Sequence, residues 1–270
     1  MSNKEYIKAI QERVKYYLSK NKMKSVIIGI SGGFDSAFNA ALIKPICDEL
    51  KIPIIGRYIH IESNKIEEKE RACNIGKHFC HDFKCIDLTD LFYTSLKDFE
   101  ENETFDENDF KTKIRRGNIK ARLRMMHLYN LASLNGGLVI DNDNQTEVLL
   151  GFYTLNCSCD LSPLFSLFKS DAYEMAKEYL SEISDNEAKQ ALLDCINAVP
   201  TDGLGITSSD VEQFGVKSYN EVDEILKCFS YRIKDMPFIE EKYGKDVVDK
   251  VIKRYHNNIY KSKHPYRIKL

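Results

Sequence analysis

The sequence feature that most constrains the fold is an apolar run that passes directly into a glycine-rich turn and then into a helical pattern. Residues 26–30 are apolar throughout, which is typical of a strand covered on both faces. The turn at residues 31–36 reads Ser-Gly-Gly-Phe-Asp-Ser, and a helical pattern continues from Ser36 to Leu50. This order of strand, turn and helix predicts the first unit of an α/β fold.

The rest of the chain continues this alternation before it becomes mostly helical. An amphipathic helix is predicted at about 4–20, a charged helix at about 65–81 and a basic helix at about 111–135, with further strands at 54–61, 83–88 and 138–140. From Lys169 onward the pattern is mostly helical, up to a short basic tail. We predict one domain, residues 1–270, with a parallel sheet, right-handed crossovers and a helical C-terminal part.

Charge and cysteine patterns limit the possible partners. The formal net charge of -2 predicts no global attraction to nucleic acid or to an anionic membrane. The sequence has no apolar run of the ~20 residues that a membrane span needs, and its start lacks the apolar core of a signal peptide. We therefore expect a soluble, cytoplasmic protein.

Six acids between residues 100 and 109 favour a solvated, mobile connection. The eight cysteines contain no CxxC pair, which favours reduced thiols over a structural zinc site.

The glycine-rich turn has the composition that phosphate binding needs. Adjacent glycines let backbone N–H groups approach phosphate oxygens, and the helix that follows adds the positive end of its dipole. Asp35 would repel a phosphate unless a Mg²⁺ ion lay between them, so we predict that it is a metal ligand. The turn matches neither the Walker loop nor GxGxxG. A plain glycine turn at a strand end is the simplest alternative. The predicted ATP-binding residues here are Gly29, Ile30, Ser31, Gly32, Gly33, Phe34, Asp35 and Ser36.

This turn resembles the SGGxDS loop of the ATP pyrophosphatases, which cleave ATP between its α- and β-phosphates. The resemblance implies the adenine nucleotide alpha hydrolase-like, Rossmann-like α/β fold. It does not identify a substrate, because argininosuccinate synthetases, GMP synthetases and tRNA-modifying enzymes carry similar loops.

Three further stretches are similar to the ammonia-dependent NAD synthetases. Residues 117–126 resemble GNxKARxRM, residues 142–154 resemble GTxxxxE…GxxT, and residues 160–169 resemble ADxxPxxxLxK. The resemblance implies roles for single residues. Lys169 would contact the ATP phosphates and act with Asp35 in catalysis, and Glu147 would be the second Mg²⁺ ligand. Asn142 and Thr201 would contact ATP; the substrate contacts would be Arg122, Asp160, Lys263 and His264.

The chain departs from the family pattern mainly on the substrate side. Leu155 stands where the family has a lysine on deamido-NAD, and Asn142 stands where it has a threonine. The loop before Asp160 is two residues shorter, and the C-terminal His-Lys-Arg appears only in scrambled form at residues 261–265. Adenylation chemistry is therefore better supported than the identity of the carboxylate.

The resemblance implies a ligase that joins ammonia to deamido-NAD through an acyl-adenylate, releasing AMP and pyrophosphate. It also implies a homodimer with the Arg122 helix near the subunit boundary. No separate amidase domain is expected, so the ammonia would be free or supplied by a partner.

Two alternatives remain open. One is an ATP pyrophosphatase that amidates another small acid, or thiolates RNA with Cys157 or Cys159. The other is a non-catalytic nucleotide-binding protein, against which the pair Asp35 and Glu147 argues.

Overall fold

The structure is a computed structural model that describes residues 2–62, 65–100, 106–107, 109–200, 211–231, 236–263 and 268. The predicted site residues Thr201 and His264 lie outside the described residues. No helix in these ranges is both long and apolar enough to cross a membrane.

A four-stranded parallel sheet forms the centre of the molecule, as the alternating pattern predicts. Its strands, in spatial order, are β3 (Asp82–Asp87), β2 (Ile54–His60), β1 (Ser25–Gly29) and β4 (Gly137–Val139). Ile27 is in register with Ile55 on one side and with Val139 on the other. This confirms the predicted α/β fold class.

Eleven α-helices are assigned in the described residues. They are α1 (Asn3–Lys20), α2 (Phe34–Leu50), α3 (Ile66–Phe79), α4 (Thr89–Phe99), α5 (Phe110–Asn135), α6 (Gln145–Leu150), α7 (Lys169–Tyr179), α8 (Asn186–Asn197), α9 (Tyr219–Tyr231), α10 (Met236–Tyr243) and α11 (Lys245–Asn258). Short 3₁₀ turns lie at Leu180–Glu182, Glu212–Phe214 and Ile259–Lys263. The C-terminal part is helical, as predicted.

The helices cover both faces of the sheet. Val26 and Ile28 of β1 face a core that is shared with α1, α2, α3, α7 and α8, whereas Ile27 faces a second core that includes α4 and α5. The alternation follows from the two-residue period of a strand. A third core joins α6 to α9, α10 and α11. Because β1 is buried on both faces, its apolar run has no polar positions.

Two helices and one salt bridge differ from the sequence-based expectations. The helices α4 and α6 were not predicted. Glu100, at the start of the acidic stretch, is not solvated, because its carboxylate accepts hydrogen bonds from Arg115 and Arg116 and its side chain is only 13% exposed. Residues 101–105 and 108 of that stretch lie outside the described residues.

The strand order places a topological switch point beside β1. The chain moves from β1 outward to β2 and β3 and then returns to the other side of β1 as β4. In open α/β sheets, the crevice at the carboxyl ends of such a strand pair is where ligands bind. The glycine-rich turn follows β1 at this edge, and α6 follows β4.

Candidate active site

The glycine-rich turn is held in shape by its own two serines. The Ser36 hydroxyl accepts a hydrogen bond from the Ser31 backbone N–H (3.2 Å) and donates one to the Gly33 carbonyl (3.1 Å). The Ser31 hydroxyl accepts from the Gly33 N–H (3.1 Å). Gly33 is the N-cap of α2 and brings no side chain over the helix end. The N-terminal amides of a long helix are thus left uncapped by a side chain at the switch point, an arrangement suited to anions.

Gly32 allows the turn to pack directly against α3. Its φ is +81°, a left-handed value that favours glycine. A Cβ added at Gly32 would lie 2.0 Å from the Glu68 carbonyl oxygen, closer than any real contact. The Arg71 guanidinium donates a hydrogen bond to the Gly32 carbonyl at 2.8 Å. The turn therefore packs against the first half of α3.

A buried lysine brings two predicted acids together beside the turn. Lys169 Nζ lies 2.5 Å from Asp35 Oδ2 and 2.8 Å from Glu147 Oε1. The Lys169 side chain is 4% exposed, and each carboxylate side chain is 16% exposed. Asp35 lies in the first turn of α2, Glu147 in α6 and Lys169 at the start of α7. Three elements that are distant in sequence thus converge on one ion cluster.

Asn144 links the two acids and was not singled out from the sequence. Its side-chain amide donates to Asp35 Oδ1 at 2.9 Å, and its side-chain oxygen accepts from the Glu147 backbone N–H at 3.1 Å. The Glu147 carboxylate accepts in return from the Asn144 backbone N–H, which completes a capping box at the start of α6. The pattern Asn-x-x-Glu was the available signal for this short helix.

The cluster carries more acid than base. Burial and the nearby Asp35 charge raise the pKa of Glu147 to about 7. Burial, with the charges of Asp141 and Glu147, raises the pKa of Asp143 well above its ordinary value. Burial alone would lower the pKa of Lys169, but Asp35 and Glu147 outweigh it and raise that pKa. An additional cation would relieve the repulsion among these carboxylates.

The carboxylate pair fits a hard divalent cation. Asp35 and Glu147 approach the same ammonium group, and carboxylate oxygens are preferred ligands of Mg²⁺. In the described part of the chain, no group of three or more His, Cys, Asp or Glu side chains is arranged to hold a metal ion. Two protein ligands plus phosphate oxygens and water would therefore have to complete the coordination.

Lys169 is anchored by two buried residues behind it. Its backbone N–H donates to the Thr146 hydroxyl at 2.9 Å. Asp223, which is 1% exposed, accepts from Thr146 through one oxygen and from the Ser170 N–H through the other. The sequence predicts no site role for Thr146 or Asp223, because no local pattern links residues that are 77 positions apart.

Asn142 ties the ends of β1 and β4 together. Its side-chain amide donates to the Gly29 carbonyl at 3.1 Å, and its oxygen accepts from the Asn39 amide at 3.0 Å. The side chain therefore lies at the switch point, next to the residue that precedes the turn. Its predicted contact with ATP stays a prediction.

Arg122, a predicted substrate residue, lies on α5 beside the loop that follows α6. Arg122 is exposed and donates to the Leu155 carbonyl at 3.3 Å. Lys261 donates to the carbonyls of Gly151 (2.8 Å) and Tyr153 (3.0 Å) in the same loop. Arg122 and Lys261 thus both hold the loop at 151–155, in which Leu155 replaces the lysine of the family pattern.

The other two predicted substrate residues with described positions differ in their surroundings. Asp160 accepts from the Val139 N–H at 2.9 Å and from the Tyr129 hydroxyl at 3.1 Å, so both carboxylate oxygens have partners within the fold. Lys263 is exposed at the end of the last 3₁₀ turn.

Comparison with known proteins identifies the family. The family model for NAD synthase matches residues 6–265. The chain belongs to the NAD synthase family. It is 32% identical over 268 residues to the NH(3)-dependent NAD(+) synthetase of Mycoplasma genitalium, covering 97% of this chain and 96% of the relative. It is 30% identical to the enzyme of the same name from Finegoldia magna, covering 89% of this chain and 87% of the relative.

Two solved structures of this fold align over the full length of both chains. One is the NMN synthetase from Francisella tularensis, with a TM-score of 0.79, 21% identity and 100% coverage of each chain. The other is the NH3-dependent NAD synthetase from Campylobacter jejuni in complex with the nitrate ion, with a TM-score of 0.73, 22% identity and 100% coverage of each chain. These two alignments show that the chain has the same fold as the two solved structures.

Proposed function

We propose that this member of the NAD synthase family uses ATP to join ammonia to the carboxylate of deamido-NAD, forming NAD, AMP and pyrophosphate. The observation that carries the proposal is the convergence of Asp35, Glu147 and Lys169 beside the uncapped N-terminus of α2. The relatives from Mycoplasma and Finegoldia, named for this reaction, support it.

The chain's residues bind and orient the triphosphate. The amides at the start of α2 and the exposed Ser31 face the phosphates, and Lys169 screens their charge. Ser36, which is buried, holds the turn in shape through its hydrogen bonds to Ser31 and Gly33. Mg²⁺, held by Asp35 and Glu147, would add positive charge as pyrophosphate leaves. Asn144 and Thr146 keep these groups in position through the hydrogen bonds that they make to Asp35 and to the Lys169 backbone.

The reaction then proceeds by two substitutions. The nicotinate carboxylate attacks the α-phosphate, and pyrophosphate leaves to give an acyl-adenylate. Ammonia attacks the activated carbonyl, a proton is lost, and AMP leaves with the former carboxylate oxygen. The chain acts mainly by positioning the reactants and screening charge. Arg122 and the loop at 151–155 are the proposed contacts to deamido-NAD.

We also propose a homodimer that forms through α4 and α5, in the cytoplasm. Phe99 and Phe110 are 66% and 58% exposed, and Ile114 is 37% exposed, so this side of the molecule presents apolar surface to solvent. Light scattering on the wild type and on Phe110→Glu tests this assembly. A wild-type monomer at micromolar concentration would count against it.

One assay tests the proposed reaction. Purified protein is mixed with ATP, Mg²⁺ and ammonium, with and without deamido-NAD, and pyrophosphate, AMP and NAD are measured. We expect equal amounts of the three products, and only when deamido-NAD is present. In a parallel reaction, nicotinic acid mononucleotide replaces deamido-NAD, and NMN is measured, because the Francisella structure is named for NMN synthesis. Pyrophosphate release that is independent of both acids would contradict the proposal.

Matched lysine variants identify the site responsible. Lys169→Met removes the ammonium group shared by Asp35 and Glu147, and we expect it to abolish pyrophosphate release. Lys8→Met changes an exposed lysine on α1 and should retain full activity. Equal activity of the two variants would exclude Lys169 from the reaction.

A further inference from the structure

Two cysteines that the active site does not use face each other across α3 and β3. Cys73 Sγ and Cys85 Sγ lie 3.4 Å apart, and both side chains are free thiols. Cys73 is partly buried on α3, whereas Cys85 is exposed on β3, the edge strand of the sheet. A disulfide has an S–S length of about 2.05 Å, so only a small shift of the two sulfur atoms would be needed to form one.

The packing of α3 on β3 sets this close approach. Gly76 lies one turn after Cys73, and a Cβ there would lie 2.2 Å from the Phe83 ring. The missing side chain lets α3 settle onto the strand at this point. Phe83 and Cys85 are two residues apart and point to the same face, so Cys85 meets the helix at the preceding turn. The thiol pair is therefore a product of the fold and not of two mobile side chains.

The same helix supports the glycine-rich turn. Arg71, two residues before Cys73, donates its hydrogen bond to the Gly32 carbonyl, and the Glu68 backbone packs against Gly32 itself. A link at Cys73 would restrain the part of α3 on which the turn rests.

We propose that Cys73 and Cys85 form a reversible disulfide that ties α3 to the edge strand β3 and thereby restrains the glycine-rich turn. The oxidant is a low-molecular-weight disulfide. The Cys85 thiolate attacks one of its sulfur atoms, forms a mixed disulfide and releases one thiol. The Cys73 thiolate then attacks the Cys85 sulfur and releases the second thiol. Two protein thiols are oxidised, and one external disulfide is reduced to two thiols.

The surroundings of the pair fit this order of attack. Cys85 lines a surface cleft of about 330 Å³ together with His60, Lys65, Lys69 and Asp87. Because the cleft carries the positive charges of Lys65 and Lys69, it favours an oxidant with carboxylates, such as oxidised glutathione. Burial and the hydrogen bond to Cys85 raise the pKa of the Cys73 thiol to about 11, which disfavours Cys73 as the first thiol to attack. Its Sγ lies 3.4 Å from Cys85 Sγ, so once Cys85 carries the mixed disulfide, Cys73 is the thiol placed to resolve it. Because reduction reverses both steps, the disulfide can form and break repeatedly, and the two thiols are regenerated each time.

The experiment treats the full-length protein with oxidised glutathione and then with dithiothreitol. We expect two of the eight thiols to disappear and peptide mapping to find one link, between the peptides of Cys73 and Cys85. Amide hydrogen exchange should slow in α3 and at residues 31–36, and dithiothreitol should restore both the thiols and the exchange rates. The test needs no substrate, so it is independent of the amidation reaction.

Serine variants separate the two steps. Cys73→Ser should stop at a stable glutathione adduct on Cys85, and Cys85→Ser should leave Cys73 unmodified. Cys157→Ser is the matched control and should oxidise as the wild type does. Retention of all eight thiols in the wild type, or a link between other cysteines, would overturn the proposal. A Cys73–Cys85 link that leaves exchange at 31–36 unchanged would overturn the restraint on the turn.

Discussion

The Thr146 hydroxyl donates a hydrogen bond to Asp223 Oδ1 at 2.5 Å, and both side chains are buried. The same hydroxyl accepts from the Lys169 N–H, and the other Asp223 oxygen accepts from the Ser170 N–H. One carboxylate of α9 therefore organises the first turn of α7, from which Lys169 projects toward Asp35. The C-terminal helical part contributes directly to the geometry of the ion cluster.

Asp223→Ala should destabilise the protein and weaken catalysis together. It leaves the Thr146 hydroxyl and the Ser170 N–H without their acceptor in a buried place, which costs about 1–3 kcal/mol for each group that finds no water. Urea unfolding measures the stability, and pyrophosphate release measures the activity. Asp249→Ala changes an exposed acid on α11 and should alter neither. A variant at 223 with wild-type stability would contradict this role.

Gly32→Ala should reduce ATP affinity, because the new side chain both strains the backbone and pushes the turn away from α3. Alanine at a positive φ is strained wherever it occurs, by about 1–3 kcal/mol. At Gly32 the new Cβ also meets the Glu68 carbonyl at 2.0 Å, so the turn or α3 must move. Gly244→Ala is a matched control, because its φ is +85° and no atom lies within 4 Å of the new Cβ.

Isothermal titration with ATP and thermal unfolding should separate the two glycine variants. We expect Gly32→Ala to lose both affinity and stability, and Gly244→Ala to lose only some stability. If the two variants bind ATP equally well, the close packing of the turn on α3 is not needed for binding.

Local sequence patterns were sufficient to predict the sheet and the turn. The apolar run at 26–30 and the glycines after it are contiguous, so periodicity and turn chemistry identify them without knowledge of the fold. The proximity of Asp35 and Glu147 is predicted by the family resemblance, which implies that both bind one Mg²⁺ ion, and not by any local pattern around Glu147. What the sequence could not provide is the set of contacts that hold them, such as Asn144 on Asp35 at a separation of 109 residues.

The missed elements have physical reasons. The helix α4 begins only two residues after β3, and the spacing of the apolar Phe92 and Leu96 is its main local signal. The helix α6 has six residues, too few for a periodic pattern, and its capping box was its main local signal. Lys261 reaches Gly151 across 110 residues, a tertiary contact that no local pattern records.

Lys261→Met should weaken binding of deamido-NAD without changing that of ATP. The variant removes two hydrogen bonds to the loop that carries Leu155, each worth about 1.5–3 kcal/mol at most because the donor is charged. The loop should loosen, and the KM for deamido-NAD should rise severalfold while the KM for ATP stays constant. Steady-state kinetics with each substrate varied in turn measure both values. Lys253→Met, at an exposed position on α11, is the control.

Glu100→Gln should change how the stability of the protein depends on pH. The Glu100 carboxylate accepts two hydrogen bonds from Arg116, at 3.0 and 2.9 Å, and one from Arg115. These bonds, Arg116 first, lower its pKa below the ordinary value of 4.5, although burial acts in the opposite direction. A depressed carboxyl pKa adds stability that is complete above the unfolded pKa and is lost as the pH falls through the folded pKa.

The glutamine variant tests this sign. Near neutral pH it should be less stable than the wild type by about 1.5–3 kcal/mol, the range for a hydrogen bond to a charged group. The difference should shrink as the pH falls below 4.5, where the wild-type carboxylate takes up its proton. Urea unfolding at a series of pH values measures the two curves. Glu178→Gln, at an exposed position on α7, should give a curve parallel to the wild type. A constant difference between Glu100→Gln and the wild type at all pH values would mean that Glu100 holds α4 to α5 by packing and not by its charge.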